Sequence, residues 1–264
     1  MEHSFLVIDG DKRQSALYNY LLNKHLVCSF VKTDDLDLEN KIKSHSVIIC
    51  PTPFKYYKII NLLLPNQILV GYGLKDEFTT LLNKKNINYI DLAQNDYFLW
   101  NNGYLTAEAL IGTIITTIPF SIPESQCLIC GYGNCGTHIA TLLSRLGGNI
   151  TIYDKVNSSQ LKACSTNYSS INKLDFRLSN FDIIINTVPY NIFTLDNVIY
   201  ISNNCYVFDI ASPPYGFDSK YRNTSSRYFL LPGLPGKIMP KSAGELIGKT
   251  ILNIVNKKEQ SYEV

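Results

Sequence analysis

The residues with the clearest chemical reading are Gly131-Tyr132-Gly133-Asn134-Cys135-Gly136, which carry the pattern G-x-G-x-x-G. At that spacing the first glycine permits a tight turn, the second lets a ligand approach the backbone, and the third lets a helix pack closely on a strand. The apolar run Cys127-Cys130 precedes the turn, and a helix-like segment from about Cys135 to Leu146 follows it. After Gly147-Gly148 comes a second strand pattern, Asn149-Tyr153, closed by Asp154. Together these make one βαβ unit whose helix N-terminus offers amide donors and partial positive charge to a pyrophosphate. Gly131, Gly133, Asn134, Cys135 and Gly136 are therefore the expected dinucleotide contacts. Asp154 is expected to accept from the adenosine ribose and to repel a 2′-phosphate, which favours NAD. Lys155, Ser158 and Ser159 would gather a 2′-phosphate if Asp154 turned away, so NADP stays open. The plainer alternatives are a tight turn that binds nothing and a solvated aspartate.

Other reactive residue types lack a comparable setting. Cys127 and Cys130 form a C-x-x-C, but Leu128-Ile129 between them and the glycine turn beyond place the pair on a buried strand, and no second pair completes a zinc site. No metal is expected. His3, His25, His45 and His138 have no motif around them, and neither a Ser-His-Asp nor a Cys-His arrangement is indicated.

The elements that must position the turn follow from periodicity. Apolar runs at Phe5-Ile8, Leu26-Val31, Val47-Cys50, Ile68-Val70 and Tyr89-Ile90 alternate with helix-like segments, which reads as a doubly wound parallel sheet. Leu105 to Ile118 has helical spacing, and Pro119-Phe120-Ser121-Ile122-Pro123 breaks it. Further strands are expected at Asp182-Asn186, Tyr206-Ile210 and Tyr228-Leu231. Open parallel sheets bind ligands beyond the carboxyl ends of their strands, so Thr187, Val188, Pro189, Ala211, Ser212 and Pro232 are the expected walls of the cofactor site. A last helix is expected from Ser242 to about Val255, with Glu245 completing a capping box and Gly244 and Gly248 on one face.

The fold class is thus α/β with two doubly wound parallel-sheet domains. Residues 1–104 would form a flavodoxin-like domain for substrate and partner-subunit contacts, 105–123 a linker helix and hinge, and 124–240 a Rossmann domain. Residues 241–264 would form a helix returning toward the first domain. Two domains on a proline-bearing linker predict hinge closure.

Composition narrows the partners. Twenty-four basic against twenty-two acidic residues give a net charge of +2, with no basic run interleaved with aromatics, so nucleic acid is not implied. No stretch reaches the ~18 apolar residues of a membrane span and no signal-peptide order is present, so a cytoplasmic protein is expected. Seven cysteines, an odd number lying mostly in apolar runs, argue against disulfides.

The C-terminal segment carries a resemblance. Phe208-Asp209-Ile210-Ala211-Ser212-Pro213-Pro214-Tyr215-Gly216-Phe217-Asp218 is followed by Leu231-Pro232-Gly233-Leu234-Pro235-Gly236-Lys237-Ile238-Met239-Pro240-Lys241-Ser242-Ala243-Gly244. With Asn186-Thr187-Val188-Pro189, Thr106-Ala107-Glu108 and Gly10-Asp11-Lys12-Arg13-Gln14, this ordered set resembles the A subunits of dipicolinate synthases. The resemblance implies an enzyme of endospore-forming bacteria, acting in the mother cell. It would oxidise a dihydro- or hydroxytetrahydrodipicolinate from the lysine pathway to dipicolinate, reduce a nicotinamide cofactor, and work with a flavoprotein-like B subunit. The family is associated with NADP and often has a basic residue in the glycine turn; Asn134 and Asp154 depart from that toward NAD. Ala109 stands where the family's Thr-Ala-Glu motif continues with glycine.

A substrate with two carboxylates on a nitrogen ring needs guanidinium or ammonium groups, which selects Arg13, with Asp11 beside it, and Lys237, with Ser212 as a further contact. Lys237, Glu108 and Thr106 are the candidates for catalytic roles, Glu108 as proton acceptor during aromatisation. Helix capping competes for Thr106 and Glu108, a surface ion pair competes for Arg13, and an ordinary solvated lysine competes for Lys237. Positioning is expected to matter more than strong acid-base chemistry. Two other readings fit the same motifs: another two-domain amino- or hydroxy-acid dehydrogenase, and a non-catalytic dinucleotide-binding regulatory subunit. All three are compatible with a homo-oligomer.

Overall fold

The computed structural model describes residues 3–52, 54 and 57–260, with the side chains of 157, 158, 160 and 257–260 outside the described set. The part expected of Ser158 therefore lies outside the described residues. The chain divides into two compact units, one made of residues up to Asn102 together with those from Pro235 onward, the other of Gly103–Leu234.

In the first unit, β1 (Phe5–Ile8), α1 (Lys12–Asn23), β2 (Cys28–Val31), α2 (Leu38–Ser44), β3 (Val47–Ile49), β4 (Ile68–Gly71), α3 (Asp76–Lys84) and β5 (Asn88–Asp91) succeed one another. All strand pairs are parallel, in the order β2-β1-β3-β4-β5. That is the flavodoxin-like winding, whose switch point falls between β1 and β3. Strands β1, β3 and β4 are covered on both faces, and each is an unbroken apolar run with no residue left to face water. The edge strands β2 and β5 are more exposed.

Helix α4 (Asp96–Thr117) runs from the first unit into the second. The second unit continues with β6 (Gln126–Cys130), α5 (Asn134–Arg145), β7 (Asn149–Tyr153), α6 (Asn157–Ser165), β8 (Ser169–Ile171), β9 (Ile183–Asn186), α7 (Leu195–Val198), β10 (Tyr206–Asp209), α8 (Ser219–Thr224) and β11 (Tyr228–Leu230). Its six parallel strands lie in the order β11-β10-β9-β6-β7-β8, the double winding of a Rossmann domain with its switch point between β6 and β9. One core layer, with Leu128, Ile184, Val207, Phe193 and Phe217, packs around two parallel-stacked rings: the centroids of Phe193 and Phe217 are 4.0 Å apart.

A short helix α9 (Leu234–Ile238) precedes α10 (Pro240–Gln260). Helix α10 packs on α1, where a Cβ on Gly244 would come within 2.7 Å of the Ala16 methyl and the Leu17 amide. Gly248 likewise lies against Tyr20 and Leu17. The small residues let two helix backbones approach more closely than side chains would permit.

Several expectations need correction. Helix α4 starts at Asp96, nine residues before the expected Leu105, because Asn95 caps it by accepting the Phe98 N–H at 2.8 Å. Helix α10 starts at Pro240, where the missing N–H costs nothing in a first turn, so Ser242 and Glu245 lie inside the helix and do not cap it. The second compact unit ends at Leu234, and Lys237 lies on α9 in the first. Strand β8 was not expected, since Ser169-Ser170-Ile171 at a half-exposed edge has little apolar signal. Among the described residues, no helix is long and apolar enough to cross a membrane.

Candidate functional site

The glycine turn joins β6 to α5 and stands beyond the carboxyl end of the sheet at its switch point. Gly131 has φ +90°, a left-handed conformation, and a Cβ there would strike the hydroxyl of Thr187 and the Val188 methyl. A Cβ on Gly136 would overlap the carbonyl of Gly131, so this glycine sets how near α5 can come to β6. Gly133 differs from both: it is exposed, and nothing lies within 4 Å of where a Cβ would stand. Gly133 is also the N-cap of α5 with no side chain to cap it. The first-turn amides of a helix have no intrahelical acceptor, so an anion or an equivalent acceptor suits them.

Two neighbours hold this turn in shape. The Asp154 carboxylate accepts the Tyr132 N–H at 2.7 Å through one oxygen and the Val156 N–H at 2.9 Å through the other. Both oxygens of the carboxylate are thus tied to backbone, one within the glycine turn and one just past β7. On the other side Thr187 clamps the end of β6, its N–H and its hydroxyl both donating to the Cys130 carbonyl at 2.9 Å. Tyr132 itself is buried, with its hydroxyl 3.3 Å from the Thr166 hydroxyl and the Lys162 ammonium 5.4 Å from its ring centroid. Lys155 is exposed beside this group. Sequence spacing offered no reason to single out Lys162, because it reaches the turn from α6.

Helix α4 supports the same turn from outside. Gly103 packs on Asn134, a Cβ there coming within 3.1 Å of the Asn134 carbonyl carbon. Three residues on, buried Thr106 hydrogen-bonds Cys135, whose thiol is pushed up by burial and partly drawn back by that bond. Glu108 does not join Thr106. Two residues apart on a helix are about 200° apart around the axis, and Glu108 is exposed where Thr106 is buried. Both residues lie mid-helix, so the capping role considered for them does not apply.

The loops after β9 and β10 are fixed by a polar network that sequence reasoning did not single out. Asp209 and Asn186 are both fully buried at the ends of their strands. Asp209 receives the Asn186 amide at 2.8 Å, the Tyr228 hydroxyl at 2.9 Å, the Gly216 N–H at 2.9 Å and the Ala211 N–H at 3.2 Å. Asn186 also brackets Val188, donating to its carbonyl at 3.0 Å and accepting its N–H at 3.2 Å. The available signal was the polar residue closing each of two apolar runs, Ile183-Ile184-Ile185-Asn186 and Tyr206-Val207-Phe208-Asp209. Among the expected walls Ala211 is buried, Thr187, Val188 and Pro232 are half-buried, and Ser212 and Pro189 are exposed.

In the first unit the structure brings together Asp11, Arg13 and the segment holding Lys237. Asp11 caps α1, and the guanidinium of Arg13 grips its carboxylate, with Nε 3.0 Å from each oxygen and Nη2 2.6 Å from one. Nη2 also donates to the Thr52 carbonyl at 2.8 Å. Gly236 lies against this guanidinium, and the following residue, Lys237, is exposed. Among the described residues no group of three His, Cys, Asp or Glu side chains is arranged to hold a metal. Cys127 and Cys130 are buried on β6.

Comparison with known proteins places these features. Residues 115–198 match the family described as D-isomer specific 2-hydroxyacid dehydrogenase, NAD binding domain, a span that contains the glycine turn, Asp154 and Thr187. The dipicolinate synthase A subunit of Bacillus subtilis is 28% identical over 171 residues, a match that covers 63% of this chain and 57% of that protein. The crystal structure of the dipicolinate synthase A subunit from Bacillus halodurans superposes with a TM-score of 0.82 at 20% identity, over 96% of this chain and 98% of that one. The crystal structure of its Bacillus subtilis counterpart gives 0.83 at 20% identity, over 99% and 98%. The chain carries a dehydrogenase-type nicotinamide-dinucleotide-binding domain in a two-domain fold, and the resemblance borne by its C-terminal motifs and these similarities point to the same relative, the A subunit of dipicolinate synthase.

Proposed function

We propose that this chain is an oxidoreductase subunit that converts a dihydro- or hydroxytetrahydrodipicolinate to dipicolinate with reduction of NAD or NADP, beside a flavoprotein-like B subunit. In this reading it serves spore formation, in the cytoplasm of the mother cell. The observation that carries the reading is the glycine turn, with Gly133 open above it and Asp154 locking it, in a chain similar to the dipicolinate synthase A subunit.

The residues fit a dinucleotide: a side chain at Gly131 or Gly136 would collide with the fold, whereas Gly133 leaves its outer face clear for a pyrophosphate. When bound, the cofactor supplies the hydride acceptor. The amides of Asn134, Cys135 and Gly136 would meet the pyrophosphate, and Asp154 the adenosine ribose, which favours NAD over NADP. Thr187, Val188, Pro189, Ala211, Ser212 and Pro232 would wall the ribose and nicotinamide. Thr106 acts on the turn through Cys135, a positioning role rather than a contact with the reacting atoms.

For the substrate we assign its carboxylates to Arg13 and Lys237, with Ser212 as a further contact. Arg13 already binds Asp11, so a carboxylate must displace or share that partner, and Asp11 tunes how tightly a dianion is held. Loss of water and of hydride plus a proton yields an aromatic pyridine. The protein's work is then to orient the ring C–H and to stabilise two anions. Glu108, exposed on α4, takes the role of proton acceptor in this scheme.

The test is absorbance of reduced nicotinamide with the chain, the lysine-pathway precursor and either cofactor, with and without the B subunit. Reduction in step with dipicolinate formation is the expected result. Cofactor binding without turnover in every mixture would favour the regulatory reading. Turnover of a 2-hydroxy acid instead would favour another dehydrogenase, a reading to which the match over residues 115–198 lends support.

A further inference from the structure

We infer that Asp209, with Asn186 and Tyr228, is a positioning device for the nicotinamide half of the dinucleotide: the network holds the two loops that wall that half. The inference rests on the dinucleotide reading given above.

The strand order divides the second sheet at β6 and β9. Asp154 stands on the β7 side of that point, and Asn186, Asp209 and Tyr228 stand on the other. A dinucleotide lies across a switch point with one nucleotide over each half of the sheet. With the adenosine ribose at Asp154, the nicotinamide falls over the β9 and β10 ends. Both loops leaving those ends are tied to the network by their backbones: Val188 at both its N–H and its carbonyl, Ala211 and Gly216 at their N–H groups. The bonds of Asp209 and Asn186 given above end on these two loops and on Tyr228, and the first loop meets the glycine turn only at its near end, where the Thr187 hydroxyl lies 3.5 Å from the Gly131 carbonyl.

The chemistry of the network is one-sided. Each oxygen of Asp209 accepts two donors: Asn186 and Ala211 at one, Gly216 and Tyr228 at the other. All four partners present a proton to a carboxylate that no solvent reaches. Burial and the neighbouring Asp209 charge push the Tyr228 phenol up from its ordinary value, which keeps it a donor. Gly216 leaves no room for drift, because a Cβ there would strike the Asn186 amide. An amide in place of Asp209 would turn an NH2 onto the backbone N–H of either Ala211 or Gly216 whichever way it faced, and one loop would have to move.

The experiment compares Asp209→Asn and Tyr228→Phe with the unaltered full chain, titrating each with the preferred dinucleotide and with its ADP-ribose moiety, which lacks the nicotinamide. Asp209→Asn should weaken the dinucleotide by about fivefold or more, the scale of a mispaired buried polar group, and ADP-ribose by less than about twofold. Tyr228→Phe removes only one donor, so it should show the same selective loss at smaller size and guards against a folding failure of the first variant. Equal weakening of both ligands, or unchanged dinucleotide affinity in both variants, would overturn the inference. If the unaltered chain binds neither ligand, the dinucleotide reading itself fails and the inference falls with it.

Discussion

The carboxylate of Asp154, at the end of β7, accepts the backbone N–H of Tyr132 at 2.7 Å and so fixes the second residue of the glycine turn. One side chain thereby shapes the turn and, in the proposed function, also meets the adenosine ribose. The two roles can be separated. Asp154→Asn can keep its oxygen on the Tyr132 N–H only by turning its NH2 toward the Val156 N–H, which disturbs the segment after β7 rather than the turn. It also loses the charge, so the ratio of NAD to NADP affinity should fall by about tenfold, the scale of one charge-assisted hydrogen bond. Asp154→Ala loosens the turn as well and should weaken both cofactors. Titration of both variants with both cofactors checks this, and an unchanged ratio in Asp154→Asn would remove Asp154 from cofactor choice.

The contact of α10 on α1 makes a separate claim about stability. Gly244→Ala would press a methyl to within 2.5 Å of the Arg13 carbonyl oxygen, and overpacking of that kind costs about 1–3 kcal/mol. Gly112→Ala on α4 is the counterpart, since nothing lies within 4 Å of its Cβ and alanine favours a helix interior by up to about 1 kcal/mol. Thermal unfolding should show a lower Tm for the first and an equal or higher one for the second. A neutral Gly244→Ala would contradict the close approach of the helices.

Buried thiols make stability depend on pH at the alkaline end. Burial, with help from the charge of Asp182, pushes Cys127 and Cys205 up to about 12, against an ordinary thiol value of 9.0. Their raised values in the folded chain mean that their contribution is fully present below pH 9 and drains away as pH rises toward 12, while the unfolded chain loses protons that the folded chain keeps. Each thiol would tilt stability by at most about 1.4 kcal/mol per pH unit in that window. Denaturant midpoints measured from about pH 8 to 11 should fall, and Cys127→Ala with Cys205→Ala should flatten the slope. A midpoint independent of pH would show that these thiols are not buried as described.

Much of this was legible because parallel sheets write themselves plainly. Strands covered on both faces, such as Phe5–Ile8 and Ile183–Asn186, are nearly unbroken apolar runs, and the glycine turn follows another of the same kind. What escaped was set by tertiary partners. Strand β8 is a polar edge, and α4 extends nine residues upstream because of an asparagine cap that no apolar period announces. The Asp209 network escaped for a similar reason: Asn186, Asp209 and Tyr228 lie on three different strands and meet only when β9, β10 and β11 align. An ion pair at Arg13 was one of the two expectations for that residue, but the sequence does not show that its partner is Asp11, two residues before it.

The glycine turn itself offers the most direct test. Calorimetric titration of the full chain with NAD, repeated for Gly133→Ala and paired with thermal unfolding, separates the fold of the turn from its use. Nothing contacts a Cβ at Gly133 within the protein, so the variant should fold with at most the loss of about 1 kcal/mol expected for alanine at an N-cap. The methyl would stand where the pyrophosphate must approach, so binding at one site per chain should be lost or fall by at least about tenfold. Full-strength binding to a stably folded Gly133→Ala, or no binding of NAD or NADP to the unaltered chain, would contradict the account.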